Sequence, residues 1–155
     1  MAVQVIGSVF QGVGKPGDCG WMVVQDAYKS AFFIFNDNEE QFLDFHDHAA
    51  GARPPGACAP GAGNGVLRPW QCETPPRAGG IPTGSHGMGY AALTPKVQAL
   101  IDRAVDAIAA TIAEHGFTEV YYSSDGAGGL GASTFAPAQE VKDYIVAQIA
   151  SLAQT

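Results

Sequence analysis

The sequence predicts a single three-layer α/β domain, spanning 1–155, built on a mixed, largely parallel sheet. Three observations carry that expectation. Residues 31–35 read Ala-Phe-Phe-Ile-Phe, and unbroken apolarity over so short a run suits a strand buried on both faces, as in parallel sheets. An apolar stripe at three- and four-residue steps follows Thr94-Pro95 and marks a long amphipathic helix. Glycine-rich loops stand between strand-like and helix-like segments, the order that layered α/β domains show. A length of 155 residues with 46% hydrophobic residues fits one folded unit with a real core.

The elements follow in chain order. Residues 3–10 carry the β-branched Val3, Val5, Ile6 and Val9 in rough alternation and predict an opening strand. Gly12, Gly14, Lys15, Pro16, Gly17 and Asp18 form a turn-rich loop. Residues 21–24 predict a short strand, and 31–35 the buried strand, stopped by Asn36, Asp37 and Asn38. From 46 to 80 the chain is mostly Gly, Pro, Ala and polar residues, a long Gly/Pro-rich loop region of the kind that is usually functional or disordered. Within it 65–70 predicts a short helical turn. Residues 80–83 predict a brief strand and 84–89 a further glycine loop. Thr94 as N-cap with Pro95 at the first helical position opens the clearest helix. Val97, Leu100, Ile101, Ala104, Val105, Ile108 and Ile112 form its inner face, and Gly116 ends it. Residues 118–123 predict the next strand, 125–131 its loop, and 137–152 a closing helix.

Charge narrows the partners. The formal net charge of -7 argues against a clamp on nucleic-acid backbones, which Lys and Arg drive. Compact anions remain open to it, because backbone N–H groups hold phosphates without side-chain charge. With no membrane-length apolar run and no signal-peptide pattern at the N-terminus, a soluble cytoplasmic protein is expected. Cys19, Cys58 and Cys72 form no CxxC pair and are expected as reduced thiols.

Four segments carry candidate chemistry. Asn36, Asp37 and Asn38 stand where a strand ends; they read either as a turn or as amide and carboxylate groups aimed at ribose hydroxyls or a base edge. Gly61, Gly63, Asn64 and Gly65, followed by Val66, Leu67 and Arg68, allow close backbone approach and lead into a helical turn whose N–H groups face a phosphate. They match neither the dinucleotide nor the Walker pattern. Arg68 reads as a surface arginine, or as a charge-assisted donor to phosphate. The strongest segment is Ser123-Ser124-Asp125-Gly126-Ala127-Gly128-Gly129-Leu130-Gly131, where glycines in this number let successive N–H groups converge into an anion nest. Asp125 there steers a water or ribose, or caps the turn. Asp44, His46, Asp47 and His48 read as an exposed polar loop, with a metal site as the alternative; no metal or cofactor is expected.

In order, Gly17-Asp18, residues 35–38, 61–66 and 128–131 resemble the motif order of macrodomains: an early Gly-Asp, a buried strand ending in Asn-Ala-Ala-Asn, a glycine turn into a helix, and a final glycine loop before another helix. A closer resemblance is to small, uncharacterised, often phage-encoded proteins with Phe-Gly-Asp-Asn, Gly-x-Gly-Gly-x-x-x-x-Arg and Gly-Ile-Pro-Thr; this chain has Phe35-Asn36-Asp37-Asn38, 61–68 and Gly80-Ile81-Pro82-Thr83. It departs in the long stretch 17–36 and the insertion 39–60. The resemblance implies a macrodomain-like fold that binds ADP-ribose or a related nucleotide. Asp18 is then expected at the adenine amine, Asn36 or Asn38 near the distal ribose, and Gly61, Gly63, Asn64, Gly65, Gly126, Gly128, Gly129 and Gly131 around the phosphates. Hydrolysis of an ADP-ribosyl bond, if present, falls to Asn38, Asp37 or Asp125. The alternatives are a metal-dependent hydrolase at His46/His48 and a non-catalytic interaction or virion-associated protein on the same scaffold.

Overall fold

A computed structural model describes residues 2–132 and 136–154. Five strands form one sheet in the order β1-β5-β2-β3-β4: β1 (Gln4–Ser8), β2 (Ala31–Asn38), β3 (Ala78–Ser85), β4 (Met88–Gly89) and β5 (Glu119–Ser123). β1, β5, β2 and β3 are parallel, and β4 returns antiparallel to β3. The fold is therefore mixed α/β with a mostly parallel sheet.

Successive residues of β2 point to opposite faces, as the pleat requires, and each face has its own core. Phe32 and Ile34 pack with α3 (Pro95–His115) and α4 (Gln139–Ala150) through Ile101, Ile108, Val141 and Ile145. Phe33 and Phe35 pack on the other face with Cys19, Met22 and Leu67. The run at 31–35 is continuous because both sides are dry.

Helix α3 begins and ends where its caps stand. Thr94 Oγ1 accepts from the Val97 N–H, and Gly116 closes the last turn at φ 70°. Residues 139–154 form α4 and a terminal 3-10 turn.

Several sequence expectations are overturned. Residues 21–24 form no strand: α1 (Cys19–Met22) is a helical turn capped by Asp18, because burying Cys19 and Met22 against β2 outweighs the β-propensity of the valines. Asn36, Asp37 and Asn38 do not stop β2 but extend it, pairing with Ile81, Pro82 and Gly84 of β3. Residues 84–89 are a tight β3–β4 hairpin in which His86 and Gly87 both take positive φ. Region 46–80 is no open loop, since α2 (Glu39–His46) runs into it and 3-10 helices follow at Ala50–Ala52, Pro55–Cys58 and Gly63–Cys72. Cys58 and Cys72 are not free thiols. Those last two helices bring their Cα atoms to 6.1 Å and the sulfurs are bonded; Cys19 alone is free, and buried.

Candidate functional site

Parallel strands present their carboxyl ends along one edge, and in open α/β sheets ligands bind outside that edge. Here the edge gathers the ends of β1, β5, β2 and β3. The Ser124 N–H donates to the Ser8 carbonyl at 2.9 Å, tying the chain after β5 to the end of β1.

Asn36 joins the two glycine segments singled out in the sequence. Its N–H donates to Asn64 Oδ1 at 3.0 Å, and its Nδ2 donates to the Gly131 carbonyl at 2.9 Å. Three segments far apart in sequence thus meet at the end of β2. At that junction Asn64 Nδ2 is buried without a hydrogen-bond partner among the described residues. A buried amide donor left unpaired costs on the order of 1–3 kcal/mol.

Asp37 and Arg68 also meet, but with each other. Arg68 donates from Nη2 and Nε to Asp37 Oδ1 at 2.9 and 3.2 Å, and from Nη1 to the Ala59 carbonyl at 3.0 Å. Its guanidinium carbon lies 5.5 Å from the Phe35 ring centroid. The surface reading of Arg68 is therefore overturned: the residue is 3% exposed. Glycine at 61 makes the burial sterically feasible, since a Cβ there would come within 2.8 Å of Nη1. Burial pushes the Asp37 carboxyl above its ordinary range, against the opposing pull of Arg68. Among the described residues Asp37 Oδ2 has no hydrogen-bond partner, and it lies over Gly80, where a Cβ would come within 2.6 Å of it.

Asn38 is the N-cap of α2. Its Oδ1 accepts from the Gln41 N–H at 2.8 Å and its Nδ2 donates to Gln41 Oε1 at 2.6 Å. Asp18 caps α1, accepting from the Trp21 N–H at 3.4 Å and the Gly14 N–H at 2.8 Å. Asp125 occupies its own glycine loop. Its Oδ1 accepts from the Ala127 and Gly129 N–H groups at 2.7 and 2.9 Å, which hold the exposed carboxyl below its ordinary range. The loop closes through Asp125 N–H to the Gly129 carbonyl, with Gly126 and Gly128 at φ 88° and 87°. The concave N–H groups expected to face a phosphate are there, turned toward an internal carboxylate. Gly63 also takes positive φ, while the Gly61 and Gly65 N–H groups donate within their own turn.

A cavity of about 250 Å³ opens beside this edge, lined among others by Ser8, Gln11, Gly17, Met22, Tyr28 and Tyr121. Tyr28 meets Tyr121 edge-on with centroids 5.6 Å apart. Apart from Gly17, sequence reading did not select these residues. The signal that could have found them is the Tyr-Tyr-Ser end of β5 in register with the Gly-Ser end of β1.

The His/Asp cluster lies elsewhere. His46 ends α2 against the rings of Phe42 and Phe45, and burial, with Arg103 and Arg53 nearby, lowers its pKa to about 4. The exposed-loop reading fails for His46, which the sequence hides because α2 itself was missed. Among the described residues no group of three or more His, Cys, Asp or Glu could hold a metal ion, and no helix is long and apolar enough to cross a membrane. No protein-family model matches the chain, and neither a curated protein nor a solved structure shows a significant match to it.

Proposed function

We propose that this chain binds a small phosphate-bearing nucleotide of the ADP-ribose kind where the loops after β1, β2 and β5 converge, and that it does so as a binder. The observation that carries the proposal is the unpaired, buried Asn64 Nδ2 at the junction with Asn36 and Gly131. A phosphate or ribose oxygen is the acceptor such a donor lacks. The glycine loop 124–131 lends less support, because Ser124 Oγ takes the Gly126 N–H and Asp125 takes those of Ala127 and Gly129. The cavity beside Ser8 and Tyr121, at about 250 Å³, is smaller than the roughly 300–1,000 Å³ of most ligand pockets. It suits one end of a nucleotide and not the whole of it.

The engagement of all three hydrolytic candidates favours binding over catalysis. Asp37 is tied to Arg68, Asn38 caps a helix and Asp125 serves its own loop. Asp37 keeps one oxygen, Oδ2, without a partner among the described residues, but that atom is buried over Gly80 and closed to water. One observation favours a protein partner as second reading: Phe10 and Val13, in the loop that borders the cavity, are 63% and 87% exposed.

Calorimetric titration with ADP-ribose, with AMP and NAD as comparisons, tests the proposal on wild type and Asn64→Asp. The substitution keeps an oxygen for the Asn36 N–H and replaces the lone donor by a charged oxygen. Saturable binding to wild type, weakened by about tenfold or more in the variant, is expected. Absence of binding to all three ligands, or equal binding by the variant, refutes it.

A further inference from the structure

The Cys58–Cys72 bridge encloses the segment that carries Gly61, Asn64 and Arg68. Cys58 ends the 3-10 helix Pro55–Cys58, and Cys72 ends the 3-10 helix Gly63–Cys72. Within the enclosed segment the anchoring is uneven. Leu67 is fully buried and Arg68 is bonded to Asp37, so the second helix is held by the body of the domain. The stretch 59–64 reads Ala-Pro-Gly-Ala-Gly-Asn, and residues 60–63 are exposed. It lies over the guanidinium through the Ala59 carbonyl and Gly61. Besides those contacts, the first helix is tied to the second by the bridge and by Gln71 Nε2 donating to the Ala57 carbonyl at 2.8 Å, and to α2 by Gln41 Nε2 donating to the Gly56 carbonyl at 2.7 Å, with Ala57 fully buried. Both bridged cysteines are only half-buried.

We infer that Cys58–Cys72 is a redox latch on this site. Oxidised, it clamps 59–64 over Arg68 and fixes the approach to Asn64. Reduced, the stretch loosens at its Cys58 end while the Asn64–Asn36 contact, the sheet and the Asp37–Arg68 pair persist. The reaction is thiol–disulfide exchange with a dithiol reductant. One thiolate of the reductant attacks a bridge sulfur and releases the other cysteine as thiolate; the second thiolate then displaces the first-attacked cysteine. Two electrons and two protons pass to the protein, leaving two cysteine thiols and a disulfide on the reductant. Cys19 takes no part, being buried with its thiol pushed up to about 11.

The consequence for ligand rests on the nucleotide reading; the latch itself does not, and the experiment separates them. Thiols are counted in denaturant, amide exchange is followed residue by residue, and ADP-ribose is titrated. All three are done on air-oxidised protein, on protein reduced with dithiothreitol, and on the Cys58→Ser, Cys72→Ser double variant. The expected count is Cys19 alone before reduction and all three cysteines after it. Exchange of amides 59–65 should speed up by about tenfold or more on reduction while β2 and α3 stay protected. The melting temperature should fall by about 6–12 °C. The double variant should match the reduced protein, and ADP-ribose affinity should fall with the loosened segment. Three free thiols in the oxidised sample, or unchanged exchange at 59–65, overturns the latch. Failure of every form to bind ADP-ribose, with the exchange difference intact, upholds the latch and refutes the nucleotide reading alone.

Discussion

Replacing Arg68 by Met removes the guanidinium while leaving most of the side-chain volume and the Asp37 carboxylate. In the intact pair the side chains are 4% and 1% exposed, with Nη2 and Oδ1 at 2.9 Å. Breaking a buried pair from one side costs roughly 3–5 kcal/mol, because the surviving charge is stranded, whereas exchanging both partners for apolar residues is often close to neutral. Arg68→Met should therefore lose about 3–5 kcal/mol at neutral pH, and the double variant Asp37→Leu, Arg68→Met should recover most of it. The loss also depends on pH. Burial raises the folded pKa of Asp37 while Arg68 lowers it; without Arg68 the folded pKa moves further up. Between the ordinary value of 3.8 and that raised value the folded state holds more protons than the unfolded one, so stability falls as pH rises through the window and returns on acidification. Urea denaturation of wild type and the variants at several pH values measures both effects. The gap between Arg68→Met and wild type should narrow toward acid pH. A single variant within about 1 kcal/mol of wild type, or a gap that does not narrow, would refute the picture of a stranded carboxylate.

Two further outcomes are expected. Asn38→Ala should cost about 1 kcal/mol through loss of the α2 cap, and Asn38→Asp should retain most of it, as checked by chemical denaturation; a loss of ligand binding with unchanged stability would instead return Asn38 to the site. His46 has a folded pKa of about 4 against an ordinary 6.5, so between those values the unfolded state binds the extra proton and stability declines as pH falls. His46→Gln should flatten that part of the stability–pH curve, measured by thermal melts across the range.

Much of the scaffold was legible because its signals are local. Thr94, Pro95 and Gly116 mark both ends of α3 within a few residues of chain, and the apolar run at 31–35 announces β2 by itself. What could not be read depends on partners far away in sequence. Asn36, Asp37 and Asn38 look like a turn until β3 pairs with them and Arg68 neutralises the middle residue. Arg68 looks exposed until Gly61 makes room and Phe35 lies beneath it. The cysteine spacing is silent because two short helices, not a spacing motif, bring Cys58 and Cys72 together. Helix α2 is a different kind of miss. Asn38 and Gln41 have the spacing of a capping box, and Phe42 follows, so the signal was present and outweighed by the polar residues around it. The site was legible in part: the glycine segments and Asn36 do meet, whereas the engagement of Asp37, Asn38 and Asp125 appears only in three dimensions.

The strand order carries a temporal consequence. β5 lies between β1 and β2, and Gln4 at the start of the chain pairs with Glu119 near its end. On an emerging chain β1 has no partner until almost everything else has been made, while β2, β3 and α3 can already assemble. The carboxyl edge is therefore completed last, when β5 slides between strands that have been waiting for it, and contacts of such long sequence separation make this a slow step. A truncation that removes β5 would take the strand partner from β1 and the neighbour on that side from β2 in the same stroke.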